Sequence, residues 1–344
     1  MHNVAASSAS ANDNPSRSPS SGSGSATGPV MTNLTIGVLA LQGAFVEHIA
    51  LLRQAAADLQ LQAASAAAAA ASQTNQPAHS SDSSSQPPSS SPPLPLSHLT
   101  FTFPEIRNPA DLAHCDALII PGGESTSISL IATRTHLLEP LRHFVKIARK
   151  PVWGTCAGLI LLAEQANHSK ATGQELIGGL DVRVQRNYFG RQVESFEAEV
   201  GLGLLGKGEE GLFRTVFIRA PVVERVLGAG EGGESQSSTS NAGGAAVESS
   251  AGGAGGMVGK EIVQAPAMQA TKAPVEILGR LPGRARALKD QTATAEGLGE
   301  EGDIVAVRQG NVFGTAFHPE LTGDARIHRW WLEEVVRAVM EGSA

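Results

Sequence analysis

Three times in the first half of this chain a short apolar run breaks at glycine and gives way to a helix-favouring segment. Leu34–Leu41 ends at Gln42-Gly43. Ala117–Ile120 runs into Pro121-Gly122-Gly123-Glu124-Ser125-Thr126, and Pro151–Gly154 into Thr155-Cys156-Ala157-Gly158 ahead of Leu159–Ala163. Apolar runs this short, without polar alternation, suit strands covered on both faces. With helices between them, such strands pair in parallel through right-handed crossovers. The expected fold is an α/β, open doubly wound, mostly parallel sheet flanked by helices. Ligands of such sheets bind at the carboxyl ends of the strands, which is where Gln42, Gly122-Gly123 and Cys156 fall.

Helices are expected over Ala44–Leu59, where Phe45, Ile49 and Leu52 recur at helical spacing, near Pro109–His114, after a Ser/Thr cap at Ser125-Thr126, over Thr135–Lys150 and over Asp324–Met340. Further strands are expected at Leu99–Phe103, Leu180–Gln185, Ser195–Val200, Arg214–Arg219, Val275–Leu278, Ile304–Arg308 and Val312–Phe317. Gly201-Leu202-Gly203-Leu204-Leu205-Gly206 matches a dinucleotide fingerprint in letters only. The fingerprint needs a helix starting at the motif, and Lys207–Gly211 has no apolar periodicity.

A chain of 344 residues has room for two domains. Residues 1–32 and the stretches at about 60–97, 228–271 and 282–302 are too rich in Ser, Ala, Gly and Pro to build a core. They read as a disordered tail and three insertions in a single domain spanning 33–344, although the alanines after Leu59 can prolong the first helix by propensity. The tail has neither the apolar middle of a signal peptide nor the repeated arginines of a mitochondrial transit peptide.

A formal charge of -7 with no concentrated Lys/Arg block argues against a nucleic-acid partner. No apolar run reaches the roughly 18 to 20 residues of a membrane span. The two cysteines, Cys115 and Cys156, cannot make a disulfide framework, so a reducing, cytoplasmic setting is expected.

Cys156 stands at the corner of a strand–turn–helix, between Gly154 and Gly158, where a nucleophile belongs and where glycines admit a sharp turn and a close substrate. The helix that follows offers unpaired N–H groups and a positive dipole end, which favour the thiolate. The alternative is a buried core cysteine. The Gly122-Gly123 loop presents backbone N–H groups suited to an oxyanion or a carboxylate, though any tight turn would also explain it. Phe317-His318-Pro319-Glu320 places a histidine at a strand end with a carboxylate two residues on to hold its ring. Cys, His and Glu together make the thiol version of a nucleophile, base and orienter relay. No second His or Cys stands near His318 at metal-ligand spacing, so neither a metal nor another cofactor is expected.

With Gly154-Thr155-Cys156-Ala157-Gly158 and His318-Pro319-Glu320 in hand, the chain resembles the class I (triad) glutamine amidotransferases, which have a flavodoxin-like fold. More narrowly it resembles the glutaminase subunits of pyridoxal 5'-phosphate synthase, through Ile36–Ala44, Pro121–Thr126, Arg186-Asn187-Tyr188-Phe189-Gly190-Arg191-Gln192, Ser195–Ala198, Phe217-Ile218-Arg219-Ala220-Pro221 and Phe317–Thr322. The resemblance covers Leu34 to about Met340 apart from the insertions. It implies hydrolysis of L-glutamine to glutamate and ammonia, with the ammonia passed to a separate synthase subunit in a hetero-oligomer. Cys156 is then the nucleophile, His318 the acid and base, and Glu320 its orienter. Backbone N–H groups of Gly123 and Ala157 take the oxyanion, and Gly123, Glu124, Ser125, Arg186, Ile218 and Arg219 hold glutamine. An amidotransferase serving another synthase, or a catalytically dead binding module, are the alternatives.

Overall fold

The computed structural model describes residues 32–73, 99–167, 174–186, 188, 195–228, 262–268, 273–281 and 302–342. The tail before Thr32, the third insertion and most of the first two lie outside the described residues.

The chain runs β1 (Thr32–Leu39), α1 (Phe45–Gln73), β2 (Leu99–Thr102), β3 (Glu105–Ile106), α2 (Pro109–Ala113), β4 (Ala117–Ile120), α3 (Ser125–Arg134), α4 (Leu138–Arg142), β5 (Val152–Thr155), α5 (Ala157–Leu162), β6 (Ala163–Asn167) and β7 (Leu180–Gln185). It continues with β8 (Ser195–Gly201), β9 (Leu212–Ile218), β10 (Val222–Val226), β11 (Ile262–Gln264), β12 (Glu276–Leu281), β13 (Asp303–Gln309), β14 (Val312–Thr315) and α6 (Arg326–Met340). The main sheet has the order β11-β6-β7-β10-β13-β14-β5-β4-β1-β2, with β12 also paired to β13 and β3 to β1. From β2 to β14 the pairing is parallel, as the repeated strand–helix pattern requires. Beyond β14 it is mixed: β13, β10 and β7 join antiparallel, and β6 returns parallel to β7.

Burial explains why these strands read as they do. Every residue of β4, β5 and β14 is buried, since helices cover both faces, so their sequences are apolar up to the threonine that closes β5 and β14. In β9 burial largely alternates, because β8 and β9 form a separate two-stranded ribbon with one face against the domain.

Several expectations change. Helix α1 continues through the alanines to Gln73, although its buried face ends at Leu59. Beyond that point propensity, not burial, carries the helix. The span Thr135–Lys150 is not one helix: His136 takes a positive φ of 57°, α4 starts at Leu138, and the chain then makes a π turn over His143–Ile147. The cap of α3 is Glu124, whose carboxylate accepts from the N–H groups of Thr126 and Ser127, in place of Ser or Thr. Strands β6, β10 and β11 were not expected, and β11 lies within the second presumed insertion. Ala-Glu-Gln-Ala-Asn has no β signature, so the pairing of β6 with β7 and β11 decides its state. Gly201–Gly206 ends a strand and opens a 3-10 turn, with no helix behind it. Among the described residues no helix is long and apolar enough to cross a membrane.

Candidate active site

Cys156 sits between β5 and α5 with φ 47° and ψ −99°, a conformation that costs a non-glycine residue about 1–3 kcal/mol. Its N–H donates to Thr315 O at 2.8 Å, tying the corner to β14. The flanking glycines do not carry this strain; they permit close packing. A Cβ on Gly158 would lie 2.0 Å from Ile120 O, and one on Gly154 would lie 2.5 Å from the Gly158 carbonyl carbon. Helix α5 therefore rests directly on β4 and β5, and the strained φ falls on the cysteine.

His318 follows β14, beside β5, which brings residues 162 positions apart to neighbouring strand ends. Its Nδ1 lies 2.8 Å from Glu320 Oε1, and its main-chain N–H donates to Val216 O. Burial pulls the imidazole's pKa down, yet hydrogen bonds to Cys156 and Glu320 outweigh it and push the value up to about 10. Glu320 is fully enclosed. Burial alone would raise its pKa, but the proximity of His48 and the hydrogen bond from His318 hold it well below the usual carboxylate range. Gly122 packs beneath the pair: a Cβ there would lie 2.4 Å from His318 Cε1 and 3.3 Å from Cys156 Cβ.

The loop after β4 is fastened from β1. Gln42 Oε1 accepts from the Glu124 N–H at 3.1 Å, and Gly43, with φ 93°, lies against Gly122 O where any side chain would collide. Gly123 is exposed with φ 153°. Glu124 is exposed too, and despite partial burial the hydrogen bonds from Ser127 and Thr126 hold its pKa low. Ser125 is buried and donates to Gln174 Oε1 at 3.2 Å. Arg186 is buried at the end of β7. Burial lowers its pKa, and Glu124 opposes that shift. Ile218 O lies 3.9 Å from Cys156 Sγ, and Arg219 is exposed with φ 47°. The structure thus brings Cys156, His318 and Glu320 into one line. Ala157 follows Cys156 directly and Ile218 O approaches its sulfur, while Gly123, Glu124 and Ser125 lie on the loop after β4, Arg186 at the end of β7 and Arg219 after β9.

Sequence reasoning placed Gln42 at a strand end without giving it a role, and passed over Gln174 and His48. His48 had a signal: it lies four residues before Leu52, a polar side chain on the apolar face of α1.

A cysteine, a histidine and a glutamate gathered at the strand ends of an open α/β sheet are the set of groups that thiol-dependent acyl transfer requires. The model of the SNO glutamine amidotransferase family matches residues 38–249 and 274–337, and the chain belongs to this family. It is 35% identical to the "Probable pyridoxal 5'-phosphate synthase subunit PDX2" of Arabidopsis thaliana, over 90% of this chain and 89% of that one. It is 32% identical to the "Pyridoxal 5'-phosphate synthase subunit PdxT" of Herpetosiphon aurantiacus, over 87% of this chain and 99% of that one. A solved structure titled "Crystal structure of glutamine amidotransferase" aligns over 87% of this chain and 98% of its own, at 30% identity and a TM-score of 0.48.

Proposed function

We propose that this chain is the glutaminase subunit of a pyridoxal 5'-phosphate synthase, hydrolysing L-glutamine and delivering ammonia to a separate synthase subunit. The observation that carries the chemistry is the line from Cys156 through His318 to Glu320. The Cys156 sulfur attacks the carboxamide carbon, and the N–H groups of Ala157 and Gly123 receive the oxyanion. His318 gives its proton to the departing ammonia, leaving a thioester on Cys156. It then takes a proton from water, whose oxygen attacks the thioester carbon and releases glutamate. Arg186 pairs with the substrate's α-carboxylate, while Glu124, Ser125, Ile218 and Arg219 complete the pocket.

The test is glutamate release at saturating glutamine, from the chain alone and with excess synthase subunit. The expected result is low turnover alone and about 10²- to 10³-fold more with the partner, as an oxyanion donor on the Gly122-Gly123 loop is brought into line. No hydrolysis in either case overturns the glutaminase reading. Equal turnover without association favours an amidotransferase that serves another synthase.

A further inference from the structure

The line of hydrogen-bonding groups does not stop at Glu320. Behind it, in the packed seam between α1 and α6, lie two histidines with no exposed surface, His48 and His328. His48 Nε2 is 3.2 Å from Glu320 Oε2 and 3.4 Å from Thr155 Oγ1, so a hydrogen on that nitrogen lies between two acceptors. His48 Nδ1 is 3.0 Å from His328 Nε2. Trp153 closes the chamber, with its ring centroid 5.7 Å from that of His48 and 4.9 Å from that of His328.

The tautomers follow from what each nitrogen meets. Burial, then the proximity of His48, holds the His328 pKa well below the ordinary histidine value, so His328 is neutral. Its Nδ1 has no hydrogen-bond partner among the described residues. A buried lone pair without a donor costs less than a buried N–H without an acceptor, so the hydrogen sits on His328 Nε2 and is donated to His48 Nδ1. His48 then carries hydrogen on Nε2, facing the carboxylate. His318 Nδ1–H holds Oε1, and His48 Nε2 approaches Oε2 to 3.2 Å from the opposite side, its aligned hydrogen bond going to Thr155 Oγ1 and Oε2 having no other polar partner among the described residues. A carboxylate gripped at one oxygen swings about its own axis; gripped at both, it fixes the imidazole it orients.

We propose that His48 is a positioning residue of the catalytic site, holding the second oxygen of Glu320 so that the first stays aligned on His318, with His328 selecting the tautomer that lets it do so. The inference rests on the glutaminase reading and deepens it. The titratable groups around the carboxylate are Cys156, His318, His48 and His328, from the β5–α5 corner, the end of β14, α1 and α6.

The experiment compares His48→Phe, which keeps the ring and loses the donor, with His48→Gln, whose amide nitrogen occupies the Nε2 position. Both are assayed for glutaminase kinetics with the synthase subunit, and for the pH dependence of iodoacetamide alkylation of Cys156 in the chain alone. In His48→Phe, kcat is expected to fall about tenfold at unchanged KM, and the acid limb of the alkylation profile to move to higher pH as Glu320 loses a donor. His48→Gln is expected to stay within about threefold of the parent on the same reasoning. Should His48→Phe not fold, His48→Asn replaces it: its nitrogen reaches only the Nδ1 position, and it is expected to lose activity where His48→Gln does not. An unshifted acid limb with kcat within twofold in the donorless variant overturns the proposal. So do equal losses in the Gln and donorless variants, which would make His48 a packing residue. Absence of wild-type glutamine hydrolysis would strike at the parent reading instead, and the alkylation profiles would still test the relay.

Discussion

Glu320 reaches back two residues to take the Nδ1 hydrogen of His318 at 2.8 Å, across a 3-10 turn that Pro319 opens. Proline's fixed φ suits the first position of that turn and sets the two side chains on one side of the backbone. Orienter and base are thus positioned by one short segment. The long-range problem is reduced to bringing β14 beside β5.

The pair has a pH signature in stability. His318 has its pKa raised from 6.5 to about 10, so its contribution is complete below 6.5 and is lost as pH rises toward 10. Glu320 is shifted down from 4.5, so its contribution is complete above 4.5 and is lost as pH falls further. Both act in full between 4.5 and 6.5. The difference in Tm between the parent and His318→Gln should be widest in that window and shrink toward pH 10. A constant difference from pH 5 to 10 would refute this.

Cys156→Ala should abolish glutamine hydrolysis and leave the fold intact, because one sulfur at a strand corner contributes little packing. Cys156→Gly should be equally inactive and more stable than Cys156→Ala by about 1 kcal/mol, since glycine relieves the positive φ of 47°. Thermal melts of the two variants decide it. Equal melting temperatures would show that the corner is unstrained.

Gly122→Ala should disable the site without unfolding it. The new Cβ would lie 2.4 Å from His318 Cε1 and 2.9 Å from Nδ1, so the imidazole must leave its place between Cys156 and Glu320. A loss of at least about 10²-fold in kcat is expected with a small change in Tm, in line with removing a positioned general acid and base. Retention of kcat within threefold would mean that the ring shifts harmlessly.

The second long insertion should divide at Ile262. Replacing 229–261 with a short Gly/Ser linker should leave Tm nearly unchanged, because loop closure costs only about 0.6 kcal/mol per doubling of length. Extending the replacement through 268 removes β11 from the sheet edge and the contact of Lys146 Nζ with Pro266 O at 2.9 Å. That lysine is buried with Glu164, and the larger replacement should lower Tm by several degrees. Differential scanning fluorimetry of both variants separates the cases; equal melts would deny β11 any role.

The parallel half of the sheet and the Cys156 corner were legible in the sequence because their causes are local. A strand buried on both faces is apolar over most of its length, and close packing at its carboxyl end leaves glycines behind, as at Gly122 after Ile119-Ile120 and at Gly154 after Trp153. The carboxylate two residues after His318 was legible for the same reason.

What only the tertiary structure decided is what depends on partners distant in the chain. Strand β6 has polar residues and no β pattern, and it exists because β7 and β11 flank it. His48 and His328 are 280 positions apart, and nothing in either helix names the other. Packing α1 against α6 behind β5 puts His48 beside Glu320 and His328 beside His48, with neither imidazole exposed. The positive φ of Cys156 is a tertiary result as well. The glycines on either side are consumed by the contacts of α5 with β4 and β5, and the turn's strain is left on the cysteine between them.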